Sequence, residues 1–98
     1  MSAARLRPSP DVVSSRVGDE VVLVDLRTDE ILVLNATGAR IWELIADGHD
    51  EGDVRARLLQ EFAVHPAELD REVSRFVGLL DERRLVAREE RPGGGEGR

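Results

Sequence analysis

Hydrophobic and polar positions along the first third of the chain follow the pattern of short β-strands. Three apolar-rich runs, Val12–Val17, Val21–Leu26 and Ile31–Leu34, are separated by a Gly-Asp pair and by a polar four-residue segment. Runs rich in β-branched residues and bounded by turn residues favour strands, and such short connections favour antiparallel neighbours. The pattern therefore predicts a three-stranded antiparallel sheet.

The third run, Ile31–Leu34, differs from the others because it holds four apolar residues in succession. Successive side chains of a strand point to opposite faces, so half of these side chains must face away from the core of the sheet itself. Two interpretations follow. The run is either a central strand covered on both faces, or an edge strand beside a groove that another molecule fills.

After residue 34 the apolar positions change to helical spacing. Asn35 or Thr37 can cap the first helix through a side-chain oxygen. Pro66 suits the first position of the last helix, because its ring fixes φ and it has no amide hydrogen to leave unpaired. The predicted first helix ends by Asp47, the second starts near Glu51, and the third runs from Pro66 to about Arg83.

These elements predict an α+β fold, in which a three-stranded antiparallel sheet is followed by three helices. Residues 1–11 contain prolines and no apolar run, and they predict a flexible N-terminal arm. Residues 88–98 are charged and then rich in glycine, a composition that predicts a disordered tail. The predicted domain occupies residues 12–87 of the 98-residue chain, which is long enough for one core.

Charge and composition narrow the range of partners. The chain has 20 acidic and 14 basic residues and a net charge of −6, so its long-range field repels phosphate backbones and disfavours nucleic acid. No apolar run approaches the ~18 residues that a membrane-spanning helix needs, and no secretory signal is visible. We expect a soluble, cytoplasmic protein that binds neither nucleic acid nor membranes.

The chain lacks the side-chain groupings that catalysis needs. It has no cysteine and two histidines, His49 and His65, so there is no thiolate nucleophile and a metal site is disfavoured. The carboxylates lie around predicted turns and helix ends, where capping explains them, and no serine lies in a nucleophile motif. We expect a protein that is not an enzyme and that carries no cofactor.

Two segments together carry a resemblance to a known family. Residues Leu23–Thr28 have the sequence LVDLRT, and Leu34–Ile45 have the sequence LNATGARIWELI. Within the predicted order of three strands and three helices, they make the chain resemble the PqqD-like proteins over Val12–Val86. These are leader-binding domains, also called recognition elements, of pathways for ribosomally made and post-translationally modified peptides. The pathways include those for pyrroloquinoline quinone and lasso peptides.

The resemblance implies a winged helix-turn-helix-like fold and a binding function. A precursor's leader peptide would add antiparallel to the third strand and lie in a groove beside the third helix. The partner would be a leader peptidase of a lasso peptide pathway or, alternatively, a radical enzyme of the quinone-cofactor type, and the chain itself would be monomeric. The residues expected to bind the peptide are Glu30, Ile31, Leu32, Val33, Leu34, Asp70, Arg71, Val73, Ser74, Arg75 and Val77.

Two other functions compete with this one. A winged-helix DNA-binding regulator would share the same elements, but the alternating charges of the third helix do not give the basic surface that DNA binding needs. An oligomerisation module would pair Ile31–Leu34 with the same strand of a second copy. A dimer that forms without peptide would distinguish such a module from a leader-binding monomer.

Overall fold

The computed structural model describes residues 5–89, which fold into five strands and three helices. A three-stranded antiparallel sheet followed by three helices confirms the predicted α+β fold. The observed helices begin and end close to their predicted bounds. In chain order the elements are β1 (Arg5–Pro8), β2 (Val12–Val17), β3 (Glu20–Asp25), β4 (Glu30–Leu34), α1 (Ala36–Ala46), α2 (Glu51–Glu61), α3 (Pro66–Glu82) and β5 (Val86–Glu89).

The main sheet has the strand order β2-β3-β4, and each strand is antiparallel to its neighbour. Both hairpin turns contain a residue with positive φ: Gly18 (φ 66°) between β2 and β3, and Asp29 (φ 62°) between β3 and β4. Glycine adopts this left-handed region without steric cost, and aspartate tolerates it better than most residues do. The turns thereby set a register in which Val22 lies opposite Val33.

The core lies between one face of this sheet and the helices. Val21 and Leu23 of β3 and Leu34 of β4 are buried on that face. Trp42 of α1 is also buried, so the only tryptophan of the chain is a core residue. The helices contribute further fully buried side chains, among them Ile41, Leu44, Ile45, Val54, Leu58, Val73 and Leu80.

The helix starts have the capping chemistry that the sequence predicts. The Oδ1 atom of Asn35 accepts a hydrogen bond from the Gly38 amide at 2.9 Å, so Asn35 and not Thr37 caps α1. His65 caps α3 through its side chain and precedes Pro66, which is the first residue of that helix as predicted. These caps satisfy amides that a helix cannot pair internally.

The pairing of β1 with β5 corrects the predicted arm and tail. The two strands are antiparallel, with Arg5 opposite Glu89, so both ends of residues 5–89 belong to the fold. Leu6 is 1% exposed and joins the core beside α1. The burial of this side chain favours the pairing of β1 with β5. The sequence did not predict β1, because a strand of four residues is too short to show an alternating pattern. Residues 90–98 of the predicted tail lie outside the described residues.

Candidate functional site

The open edge of β4 is the first feature of the candidate site. Within residues 5–89, β4 pairs with β3 and with no other strand. This position excludes the interpretation of Ile31–Leu34 as a central strand. One row of backbone amides and carbonyls on β4 is therefore available to pair with another strand.

The hydrogen-bond pattern identifies which residues face this edge. The Leu26 amide donates to the carbonyl of Asp11, just before β2, at 2.9 Å. Backbone groups alternate between the two sides of a strand, so every second residue of β3, counted back from Leu26, also turns its backbone groups toward β2. The alternate residues of β3, such as Leu23, turn theirs toward β4, where Leu32 is the partner. The amides and carbonyls of Ile31 and Val33 consequently point out of the sheet.

The side chains of β4 alternate between the two faces of the sheet. Leu34 is buried and Leu32 half-buried on the core side, whereas Ile31 is 66% and Val33 56% exposed on the outer face. A strand added to this edge would continue the same alternation. Half of its side chains would enter the space beside α3, and the other half would lie on the outer face.

A groove of about 390 Å³ lies between β4 and α3. Ile41 of α1 and Phe76 of α3 contribute apolar surface to it. Gly38 allows the ring of Phe76 to approach α1, because a Cβ atom at this glycine would lie 3.2 Å from Cε1 of the ring. The residues that line the groove are Leu32, Val33, Leu34, Asn35, Thr37, Gly38, Ile41, Glu72, Arg75, Phe76 and Leu79.

The helix α3 runs antiparallel to β4 along the groove. At the start of β4, Nη1 of Arg83 lies 3.9 Å from Oε1 of Glu30. Beyond the end of β4, Asn35 and Thr37 share a pocket with Glu68, which is in the first turn of α3. A peptide that paired antiparallel with β4 would therefore run in the same direction as α3.

The groove continues into a second pocket of about 310 Å³. We call it the link pocket, because Phe62 and Val64 from the link between α2 and α3 contribute to its wall. It shares Asn35, Thr37 and Glu72 with the groove, so the two form one continuous depression. The other residues that line the link pocket are Glu68 and Leu69.

An ion pair anchors the β3–β4 turn to the far end of α3. Asp25 is 3% exposed, and its carboxylate accepts hydrogen bonds from Nε and Nη2 of Arg27 at 3.0 and 3.1 Å. The same Nη2 atom donates to the Arg84 carbonyl at 2.7 Å. The hydrogen bonds from Arg27 hold the pKa of Asp25 below its ordinary value, although desolvation acts in the opposite direction. This network connects β3 with the segment that follows α3.

The predicted residues of the third strand all lie in β4. Leu32, Val33 and Leu34 line the groove, and Ile31 presents its backbone to the open edge. The side chain of Glu30 lies near Arg83 at the end of the groove. The five residues predicted on the third strand thus lie together along β4, at its open edge or beside the groove.

Of the residues predicted on α3, most do not line the groove. Arg75 lines the groove. Val73 and Val77 are buried in the core, because they belong to the apolar stripe with which α3 packs against the rest of the fold. Three other predicted residues line neither the groove nor the link pocket: Asp70 and Ser74, which contact Arg55 of α2, and the exposed Arg71.

Sequence analysis missed the three α3 residues that line the groove beside Arg75, which are Glu72, Phe76 and Leu79. Their spacing of four and three residues places them in one row next to the core stripe. Phe76 and Leu79 are half-buried. A signal was present, since these two apolar residues make the apolar face of α3 wider than the core stripe alone.

Two further observations concern the described part of the chain. None of its helices combines the length and the apolar character needed to cross a membrane. Within residues 5–89, no three histidine or acidic side chains converge in the way that a metal ion requires.

Comparisons with known proteins give one family and two similar structures. A family model described as coenzyme PQQ synthesis protein D (PqqD) matches residues 20–86. The solved structure of TbiB1 in complex with the TbiA(beta) leader peptide is 28% identical, with a TM-score of 0.78 over 93% of this chain and 99% of that chain. The structure of lasso peptide synthetase B1 complexed with the leader peptide is 29% identical, with a TM-score of 0.77 over 85% and 98%. No curated protein matches the chain.

Proposed function

Because the chain belongs to the PqqD family, we propose that it binds the leader segment of a ribosomally made precursor peptide and presents it to a processing enzyme. The single observation that carries this proposal is the open edge of β4 beside the groove that α3 borders. Both similar structures are complexes with a leader peptide, which supports the same kind of ligand here. The role is one of binding, without catalysis.

The leader adds to β4 as a fourth, antiparallel strand. Its backbone pairs with the outward amides and carbonyls of Ile31 and Val33. These bonds do not depend on the sequence of the peptide. Selectivity comes from the alternate side chains of the leader, which enter the groove against Leu32 and Phe76.

The energetics are sufficient for specific binding. Each backbone hydrogen bond contributes ~0.5–1.5 kcal/mol, and each apolar side chain that becomes fully buried contributes ~1.5–3 kcal/mol. Two or three such side chains together with the backbone bonds outweigh the cost of ordering the peptide. We expect a dissociation constant between micromolar and nanomolar.

The partner enzyme is, in this proposal, the leader peptidase of a lasso peptide pathway. The similarity to lasso peptide synthetase B1 supports this choice. A radical enzyme of the quinone-cofactor type is the second candidate, because the family model is that of a coenzyme PQQ synthesis protein. One leader binds per chain, and the complex contains a single copy of this protein.

Amide hydrogen exchange tests the proposal directly. The probes are the TbiA(beta) leader peptide and peptides selected against this protein from a random displayed library. A bound peptide should slow exchange at Ile31 and Val33 by at least about tenfold, because their amides face solvent in the free protein. The amides of Leu32 and Leu34 serve as internal controls, since they already bond to β3. If no probe binds, or if protection appears elsewhere and not at Ile31 and Val33, the proposal is wrong.

A further inference from the structure

We propose that the free edge of β2, on the far side of the sheet from β4, is a second strand-addition site. It binds an extended segment of the processing enzyme that carries an asparagine or glutamine side chain. Two observations carry this proposal: the backbone of β2 is unpaired on that side, and a pocket beside it contains a buried indole N–H group without a partner. The proposal rests on the proposed function for the choice of partner.

The free edge of β2 offers backbone groups just as the edge of β4 does. Within residues 5–89, β2 pairs with β3 and with no other strand. Because the Asp11 carbonyl accepts from the Leu26 amide, the odd-numbered residues of β2 turn their backbone groups toward β3. The amides and carbonyls of Ser14 and Arg16 therefore point out of the sheet, where another strand can pair with them.

A pocket of about 310 Å³ lies next to this edge, between β2 and α1. We call it the β2 pocket. Ser14 and Arg16 are on the core side of the sheet, because they lie opposite Leu23 and Val21. A strand added to the edge continues the alternation of side chains and directs every second one toward this pocket. The residues that line the β2 pocket are Ser14, Ser15, Arg16, Val21, Arg40, Trp42, Glu43, Ala46 and Asp47.

Trp42 gives the β2 pocket an unpaired hydrogen-bond donor. This residue is 3% exposed, and its indole N–H makes no hydrogen bond within residues 5–89. A buried indole N–H usually has a partner, and leaving such a donor unpaired is costly. A ligand atom that accepts this hydrogen bond therefore satisfies a group that the fold itself leaves without an acceptor.

The charges around the β2 pocket favour a carboxamide over other side chains. The Glu43 carboxylate is already paired with Arg16 and Arg40. The Asp47 carboxylate makes no hydrogen bond or ion pair in the part of the chain that the structure describes. A carboxamide accepts from the indole through its oxygen and donates to Asp47 through its nitrogen. A carboxylate would be repelled by Asp47, and a lysine or arginine has no atom that accepts.

The outer face of β2 adds a second requirement for the segment. Val13 and Val17 are 50% and 59% exposed there. The residues of an added strand that alternate with the carboxamide lie on this face, and aliphatic side chains at those positions remove both valines from water. The segment that fits therefore has asparagine or glutamine next to an aliphatic residue.

The position of the site favours the processing enzyme as its occupant. β3 lies between β2 and β4, so the two outer strands are about 10 Å apart and their free edges face opposite directions. The groove beside β4 and the β2 pocket have no residue in common. A leader on β4 thus leaves the β2 edge accessible, and a second protein can bind while the leader is held.

Peptide selection sorted by edge variants provides the test. Peptides are selected on the wild type from a random displayed library and are grouped by the variant that weakens their binding at least about tenfold. Val33→Pro removes an outward amide of β4, and Ser14→Pro removes one of β2, at edge positions where proline is tolerated. We expect one class of peptide for each edge, with asparagine or glutamine next to an aliphatic residue in the β2 class. Ser14→Ala is the matched control, because it keeps the amide and should bind the β2 class as the wild type does.

The indole N–H of Trp42 gives a direct readout on the wild type, because the chain has no other tryptophan. A β2-class peptide should shift its signal in a nitrogen–proton correlation spectrum and slow its exchange with water at least about fivefold, whereas a β4-class peptide should do neither. Replacing the carboxamide of the peptide by leucine or glutamate should weaken binding at least about fivefold. The β2 class should also bind in the presence of a saturating β4-class peptide.

The outcomes separate this inference from the proposed function. If no β2 class is found, or if its peptides leave the indole signal unchanged, the inference is wrong while the proposed function stands. If the β2 class alone is found, the proposed function is wrong. A TbiA(beta) leader peptide that required the Ser14 amide, or a peptide-independent dimer that Ser14→Pro abolished, would assign the β2 edge to a leader or to a second copy and would overturn the inference.

Discussion

Asp25 is a buried acidic residue at the end of β3, where its ionised form is stabilised by the guanidinium group and the amide of Arg27. A buried carboxylate without such donors would be costly. Because Arg27 also bonds to the Arg84 carbonyl, the charge of Asp25 fixes the position of an arginine that joins two parts of the fold.

The first prediction concerns the pH dependence of stability. The pKa of Asp25 is lowered from 3.8, so the stabilisation by its charged form is fully present above about pH 4 and is lost as the pH falls through the folded-state value. Asp25→Asn should therefore be less stable than the wild type at pH 7, and the difference should shrink at pH 3. Urea denaturation at both pH values measures this.

Asp19→Asn is the control for that comparison, because it removes an exposed carboxylate from the β2–β3 turn. It should have little effect on unfolding at pH 7. An Asp25→Asn variant that was destabilised equally at pH 7 and pH 3 would show that packing, and not charge, explains the effect.

The second prediction contrasts two aliphatic residues of the sheet. Leu23 is 1% exposed in the core, whereas Val33 is 56% exposed on the outer face. Leu23→Ala should lower the free energy of unfolding by about 2–5 kcal/mol, because it leaves a cavity. Val33→Thr should change it by less than about 0.5 kcal/mol. Denaturant titration of both variants is the measurement, and comparable losses would contradict the assignment of the two faces.

The sequence predicted the role of a single residue well where its residue type is typical of one structural position, such as a helix cap. Asn35 was one of two candidate caps, and its carboxamide geometry decided between them. The sequence did not show which α3 residues line the groove, because Val73 and Phe76 are both apolar at helical spacing and either could face the core. Val73 is 0% exposed whereas Phe76 is half-buried, and this difference depends on the rotation of α3 about its axis.

At the scale of elements, the two edges of β4 differ: one pairs with β3, and the other is open and is the binding edge in the proposed function. Leu32 and Leu34 bond to β3, whereas the backbone groups of Ile31 and Val33 face the open edge, where the proposed leader strand would pair. A substitution that removes one amide hydrogen therefore has opposite consequences at neighbouring positions.

The third prediction uses this alternation. Val33→Pro removes an amide that faces the open edge, so it should weaken peptide binding by at least about tenfold while the protein remains folded. Leu32→Pro removes an amide of the ladder with β3 and should unfold the sheet. Polarisation with a selected peptide and far-ultraviolet circular dichroism report the two effects.

Val33→Thr is the matched control, since it keeps the amide and the β-branched shape and should bind nearly as the wild type does. Full binding by a folded Val33→Pro protein would contradict strand addition at β4.

The main sheet and the helices were predictable because each has its own periodicity and clear turn or cap residues. The strand pair β1–β5 was not, because each strand has four residues and its partner lies at the other end of the chain. The burial of Leu6 and of Val86, together with the hydrogen bond from the Ser9 amide to the Leu85 carbonyl, stabilises this pair in the folded chain.

At the scale of the whole molecule, the proposed function links peptide binding to folding. A ligand that binds only the folded state adds to its stability by mass action, which amounts to ~2.7 kcal/mol at a concentration one hundred times the dissociation constant. The groove and the open edge involve β4, α1 and α3 together, so they exist only when the sheet and the helices are assembled.

The fourth prediction follows from this linkage. A selected peptide at that concentration should raise the melting temperature by about 10–20 °C, given that ~1 kcal/mol shifts a domain of this size by 4–8 °C. Differential scanning fluorimetry measures the shift. If its binding is weakened at least tenfold, Val33→Pro should show no more than about half of this shift at the same peptide concentration, whereas a full shift in this variant would place the peptide elsewhere.

The β1–β5 pair also has a practical consequence for engineering. Opposed residues of antiparallel strands have Cα atoms about 4.5–5.5 Å apart. Arg5 and Glu89, the two ends of the described segment, are opposed in this way and therefore lie next to each other. Residues 5–89 can accordingly be grafted as a cassette into a surface loop of an unrelated carrier protein, with two short spacers and little distortion of the host. The same adjacency permits circular permutation, with new termini opened at the Gly18 turn.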